Sequence, residues 1–292
     1  MMKPSRSEFV DVRGLRTHLR HWGREGAPKL FMVHGWMDVS ASFQFVVDHL
    51  QGDWHVIAPD WRGFGLSERP RADTYWFPDY VADLDAILRH YSPDQPVNLL
   101  GHSMGGNVVG IYAGARAGRV RKLINLEGFG MKASRPEQAP ARYATWLDEL
   151  IEPALMRPYA SRQAVAARLQ KTNPRLSDER ADFLSQHWAA QNAAGQWEIL
   201  GDPRHKFASP LLYHVEEVMA CWSAITAPVL WVEADDTNMW QWMGPKAEAR
   251  VEIDRRLGFL KDVTTRMMAD AGHMLHHDQP AALAAMLEAF LA

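Results

Sequence analysis

The 292 residues can form one large core, or a core with an inserted subdomain, and 47% hydrophobic against 23% charged residues is globular rather than disordered usage. A formal net charge of −3 without a long basic run argues against a nucleic-acid partner, and no run of about 18 apolar residues offers a membrane span. The single cysteine, Cys221, has no partner for a disulfide within these residues and reads as a small core side chain; with no apolar signal region at the N-terminus, a soluble cytoplasmic protein is expected.

In chain order, "EFVDVRG" and "LRTHLRHWG" alternate and meet at Arg13-Gly14, which predicts an antiparallel hairpin. "KLFMVHG" (Lys29 to Gly35) is the short apolar run of a strand buried on both faces. "FQFVVDHL" has helical spacing, and "WHVIAPD" predicts another buried strand. In "DYVADLDAILRHY", Val81, Leu84, Ile87 and Leu88 share one helical face. "VNLLG" predicts a strand, "GNVVGIYAGARAG" a helix of small residues, and "VRKLINLEG" a strand. Such alternation implies parallel pairing through right-handed crossovers, with helices on both faces.

The rhythm breaks after Gly130. From Lys132 to Ile225 the spacing predicts only helices, punctuated by Asn173-Pro174 and Gly201-Asp202-Pro203, with Ser177 and Asp178 suited to a helix start. Residues 132–225 are therefore expected to form an all-helical cap inserted into a core of residues 1–131 and 226–292. The alternation resumes with "APVLWVEADD", "PKAEARVEIDRRL" and "VTTRMMADAGH", and closes on the amphipathic "PAALAAMLEAFL". The expected fold class is α/β: a mostly parallel, doubly wound sheet with an inserted helical cap.

The chemistry centres on "VNLLGHSMGGNVVGIY" (Val97 to Tyr112). G-x-S-x-G alone recurs by chance in about one chain of this length in ten, so its context decides. A strand ending at Gly101 and a helix starting after Ser103 are what a nucleophile elbow requires. A serine needs a base. Of the thirteen histidines, His273 in "ADAGHML" follows the last predicted strand and reaches the sheet edge where Ser103 emerges. The base needs an acid to fix its tautomer. "VLWVEADD" supplies Asp236, with Asp235 adjacent, and "LINLEGFG" supplies Glu127 at another strand end. Two backbone N–H groups would hold an oxyanion, those of Met104 after the nucleophile and Trp36 after Gly35. His273, His276 and His277 have the i, i+3, i+4 spacing of metal ligands, but no carboxylate-plus-histidine pattern in the sequence completes such a site, and neither metal nor cofactor is expected.

Taken together, "HGW", "APDWRGFGLSERP", "GHSMGG" and "ADAGHMLHHDQP" resemble the α/β-hydrolase family over nearly the whole chain. The resemblance implies a serine hydrolase with a helical cap. Its acid-loop pattern selects Asp236, although Glu233 stands where that pattern often has glycine; Glu127 and Asp235 remain alternatives. It marks "PDWRGFGLS" as a structural loop, and serine at 103 separates the chain from members that use aspartate as nucleophile. The expected activity is hydrolysis of a carboxylic ester of a small, largely apolar molecule through an acyl-enzyme. The same triad would serve thioester, lactone, amide or carbon–carbon bond hydrolysis, or perhydrolysis; a non-catalytic ligand-binding protein on the same scaffold is the alternative of another class. Trp146, Trp188, Trp222 and Trp240 are expected among the residues lining an apolar pocket.

Overall fold

The predicted hairpin forms as β1 (Ser5–Val12) and β2 (Leu15–Trp22), turning at Arg13 and Gly14 with φ of 55° and 79°. A computed structural model describes residues 2–153 and 156–292. The chain continues through β3 (Lys29–Val33), α1 (Gln44–His49), β4 (His55–Pro59), α2 (Phe77–Tyr91), β5 (Val97–His102), α3 (Met104–Ala115) and β6 (Val120–Leu126). An excursion follows, with α4 (Ala139–Ile151), α5 (Arg162–Thr172), α6 (Asp178–Trp188), β7 (Ala189–Gln191), β8 (Trp197–Ile199) and α7 (Val215–Ser223). The chain then returns as β9 (Val229–Ala234), α8 (Trp240–Met243), α9 (Lys246–Leu257), β10 (Val263–Met268), α10 (Leu275–Asp278) and α11 (Pro280–Leu291).

Eight strands form one sheet in the order β1-β2-β4-β3-β5-β6-β9-β10. The β1–β2 and β2–β4 pairs are antiparallel and the others parallel. The central strands β3, β4, β5 and β9 are buried along almost their whole length because both faces are covered, whereas the edge strands β1 and β10 are largely exposed. Along β3, Phe31 and Val33 join the core under α2, α3 and α7, while Leu30 and Met32 join the core under α1 and α11. This period of two lets one strand serve both layers. No helix among the described residues is long and apolar enough to cross a membrane.

The excursion departs from the expected all-helical cap in two ways. It contains the β7–β8 hairpin, which turns at Gly195 with φ of 78°, and Tyr159 bridges to Trp197 beside it. Strands of three residues are too short to alternate visibly in sequence. Second, α7 belongs to the core rather than to residues that cover it. Its Val215, Val218, Met219 and Trp222 are buried in the same cluster as sheet residues Leu99, Leu123 and Trp231. The small residues of α3 make this possible. A Cβ on Gly110 would lie 2.7 Å from Trp222 Nε1, and one on Gly114 would lie 2.0 Å from the Cys221 carbonyl oxygen. Spaced four apart, these glycines clear one face of α3 for α7. The rest of the excursion has its own small core, Val165, Leu169, Leu176, Ala181, Leu184 and Ala189, which includes Phe45 of α1.

Candidate active site

β5 lies between β3 and β6, and its C-terminal end turns directly into α3. The turn is so tight that flanking side chains have no room. A Cβ on Gly101 would sit 2.3 Å from the Gly105 carbonyl oxygen, and one on Gly105 would sit 2.3 Å from that of Val33. Both lie well inside contact distance, so the G-x-S-x-G spacing is a packing requirement. Ser103 between them has φ 52° and ψ −116°. Holding a non-glycine residue there costs on the order of 1–3 kcal/mol, carried by the surrounding packing.

Ser103 is not alone in this. The described non-glycine residues with positive φ are Arg13 in the hairpin turn, Met37, Ser103, Glu127 and Asp270. The last four stand in the loops after β3, β5, β6 and β10, at the C-terminal edge of the parallel strands. Strain gathered at one sheet edge makes that edge the candidate site.

His273 Nε2 lies 3.0 Å from Ser103 Oγ, and His273 Nδ1 lies 3.0 Å from Glu127 Oε2. A carboxylate accepts, so Nδ1–H donates to Glu127 and Nε2 is left to accept from the serine hydroxyl. Glu127 is fully buried. Its Oε1 accepts the Ala234 N–H at 2.7 Å, and its Oε2 also accepts the Thr237 hydroxyl. Its own N–H donates to Val232 at 3.0 Å. Pairing of β6 with β5 sets His102 opposite Leu126, so Glu127 emerges beside Ser103.

The expected acid, Asp236, is not part of this chain of contacts. Its side chain is 70% exposed and paired with Arg175 of the cap at 3.0 Å. Solvent and Arg175 satisfy it, and the carboxylate partner of His273 comes from β6 instead of the loop after β9. Asp235 is also elsewhere: its carboxylate accepts the N–H groups of Asp270 (3.0 Å) and Ala271 (3.2 Å). Those bonds lower its pKa and brace the turn leading into His273. Glu233 accepts from Trp231 Nε1 at 2.9 Å and from Arg250 at 2.5 Å, tying β9 to α9.

The loop after β3 approaches from the other side, where a Cβ on Gly35 would lie 3.2 Å from Ser103 Cβ. The N–H groups of Trp36 and Met104 enter no backbone–backbone hydrogen bond among the described residues. His34 fixes the loop from below. Its Nδ1–H donates to the Gly35 oxygen at 2.8 Å, and its Nε2 accepts the Trp61 N–H at 3.0 Å. Burial holds its pKa below the ordinary value, which keeps the imidazole in that neutral, two-role form.

The loop containing "DWRGFGLS" is a brace, as its motif implies. Asp60 accepts Ser40 N–H (2.7 Å), Leu66 N–H (2.9 Å) and His18 Nδ1–H (2.7 Å), and Arg62 forks onto Asp83 of α2 at 2.5 and 2.6 Å.

Of the four tryptophans expected at a pocket, Trp222 is excluded: it is fully buried in the core, 5.5 Å from Trp231. Trp146 donates to the Asp73 oxygen at 3.1 Å, and Trp188 to Asp38 Oδ1 at 3.0 Å. Trp240 stacks on Phe129, 6.3 Å between ring centres, just beyond Glu127 in the β6 exit loop. Residues not expected from sequence also hold the site. Thr237 caps Glu127, while Asn125 accepts the Gly128 N–H at 2.7 Å and donates to the Gly106 oxygen at 3.2 Å, joining the loops of Glu127 and Ser103. His102, whose pKa burial pushes well down, donates through Nε2 to the His273 oxygen at 2.8 Å. His102 and Thr237 carry no local sequence pattern, because their partners lie 171 and 110 residues away along the chain.

The family described as alpha/beta hydrolase fold has a sequence model that matches residues 28–280. A serine hydrolase-like protein of Danio rerio is 27% identical over 281 residues, 92% of this chain and 83% of that protein. Serine hydrolase-like protein 2 of Homo sapiens is 24% identical over 280 residues, 92% of this chain and 88% of that one. Among solved structures, the thioesterase domain from the curacin biosynthetic pathway aligns with a TM-score of 0.86 at 23% identity, covering 98% of this chain and 99% of that one, a likeness of fold. The match over residues 28–280 joins the sheet order and the strained turn at Ser103 to one conclusion: the chain belongs to the α/β-hydrolase fold family.

Proposed function

We propose that the protein hydrolyses a carboxylic ester of a small, largely apolar molecule through an acyl-enzyme on Ser103. The observation that carries this reading is the unbroken series Ser103 Oγ, His273, Glu127, with 3.0 Å at each step. A serine hydroxyl is barely ionised at neutral pH and becomes nucleophilic only as a base removes its proton. His273 Nε2 takes that proton as Oγ attacks the carbonyl carbon. Glu127, fixed by Ala234 and Thr237, orients the ring and stabilises the imidazolium that forms. The oxyanion is held by the N–H groups of Trp36 and Met104, each worth roughly 3–4 kcal/mol in the transition state. The imidazolium then protonates the leaving alcohol. Water, deprotonated by His273, attacks the acyl-enzyme and releases the acid and Ser103.

A panel of p-nitrophenyl esters of graded chain length, with a thioester and a lactone included, tests the substrate class. Ser103→Ala should lower ester turnover by about 10⁴-fold or more. A fluorophosphonate should label Ser103 in the parent and not in the variant. Undiminished turnover in Ser103→Ala would overturn the mechanism, and a parent that neither labels nor turns over any substrate would favour a binding protein.

A further inference from the structure

Behind His273 lies a second cluster of polar groups that the hydrolytic reading does not use. Asp38 follows the β3 loop, His102 ends β5, and His276 sits in α10; none is more than 2% exposed. One ligand atom from each can be chosen so that all lie within 4.8 Å of one another. His276 Nε2 is 3.7 Å from Asp38 Oδ2.

Among the described residues, Asp38 Oδ2, His102 Nδ1 and both ring nitrogens of His276 have no hydrogen-bond partner. Buried polar atoms are rarely left so. Their neighbours hold them ready. Asp38 Oδ1 accepts from Val39 N–H at 2.8 Å, from the Ser42 hydroxyl and from Trp188 Nε1 at 3.0 Å, leaving Oδ2 bare. His102 Nε2–H donates to the His273 carbonyl, so its Nδ1 carries a lone pair. An imidazole whose other nitrogen donates to a backbone carbonyl is the usual form of a metal-ligating histidine.

We propose that Asp38, His102 and His276 bind a divalent transition ion of the Zn²⁺, Co²⁺ or Ni²⁺ kind, tying together the segments that carry Trp36, Ser103 and His273. Two imidazoles and one carboxylate suit borderline ions rather than Mg²⁺ or Ca²⁺, which take oxygen ligands. Ligands about 2.0–2.1 Å from such an ion stand about 3.4 Å apart in a tetrahedron. The 3.7 Å pair is near that value, and all three ligand atoms lie within 4.8 Å of one another. The sequence pattern of His273, His276 and His277 lacked a carboxylate, and Asp38 supplies it from the other end of the chain.

Cobalt is the probe, because tetrahedral Co²⁺ absorbs visibly and reports its ligands without any assay of activity. The chelator-treated full-length protein is incubated with CoCl₂ overnight, or refolded with it, and dialysed. The expected result is about one Co²⁺ retained per chain, visible ligand-field bands and a raised Tm. His276→Gln and Asp38→Asn should abolish both bands and Tm shift, whereas His49→Gln and His90→Gln, at exposed positions, should keep them. Parent protein that retains no cobalt overturns the proposal even if the buried variants fail to fold. Bands that survive in folded His276→Gln and Asp38→Asn overturn it equally.

Discussion

At the scale of single residues, the decisive assignment is the acid behind His273. Glu127 accepts three bonds, from His273, Ala234 and Thr237, and is fully buried. Replacing its carboxylate with an amide leaves a donor facing Nδ1–H and favours the wrong tautomer. Glu127→Gln should therefore lower kcat/KM by about 10³-fold or more. Asp236→Asn should stay within about threefold of the parent, since only an exposed pair with Arg175 is lost. A steady-state comparison on one ester decides it: a crippled Asp236→Asn beside an active Glu127→Gln would reverse the assignment. Ser103, His273 and the turn at Trp36 were legible in sequence because each follows a strand end with a recognisable local pattern. The carboxylate partner of His273 was harder to read. Three carboxylates follow strands that end at the same edge, and only the β5–β6 register and the outward turn of Asp236 distinguish them. His102 and Thr237 act through partners 171 and 110 residues away, which no local pattern records.

At the scale of elements, the elbow and the α3–α7 crossing both depend on glycines that admit backbone. Gly105→Ala would place a Cβ 2.3 Å from the Val33 oxygen and 2.7 Å from the His34 oxygen. Neither carbonyl can move freely, because β3 is paired on both sides and His34 is locked to Trp61. The loss should reach about 2 kcal/mol or more in urea unfolding. Gly118→Ala is the control, with nothing within 4 Å of the added atom, and should change stability by less than about 0.5 kcal/mol. Equal midpoints for the two variants would mean that the elbow yields more easily than its packing implies. The same physics explains why α7 was misplaced from sequence. Its apolar face suits a cap or a core equally well, and only the cleared face of α3 shows which layer receives it.

At the scale of the whole molecule, the excursion after β6 is fastened to the core beside the turn at Trp36. Gly65 N–H donates to the Leu200 oxygen and Asp202 N–H to that of Gly63, each at 2.8 Å. The His205 ring lies between Phe64 and Tyr75 at 3.7 Å from each, and its backbone oxygen accepts Trp36 Nε1–H at 3.1 Å. Burial holds the His205 pKa down to about 3, and burial with Arg20 holds that of His187, also in the cap, near 4. In the unfolded chain both return to about 6.5. Below that pH the unfolded state binds protons that the folded state refuses, so the stability these rings contribute is present above about pH 6.5 and lost as the pH falls towards 4. The slope for one ring reaches at most about 1.4 kcal/mol per pH unit, less where it is partly exposed. Urea midpoints should thus fall steadily from pH 7 to pH 4.5. His205→Gln, which has no proton to take up, should begin lower at pH 7 because the stack is lost, but decline more gently. Parallel slopes for parent and variant would show that acid attacks the molecule elsewhere and that this ring is not what ties cap stability to pH.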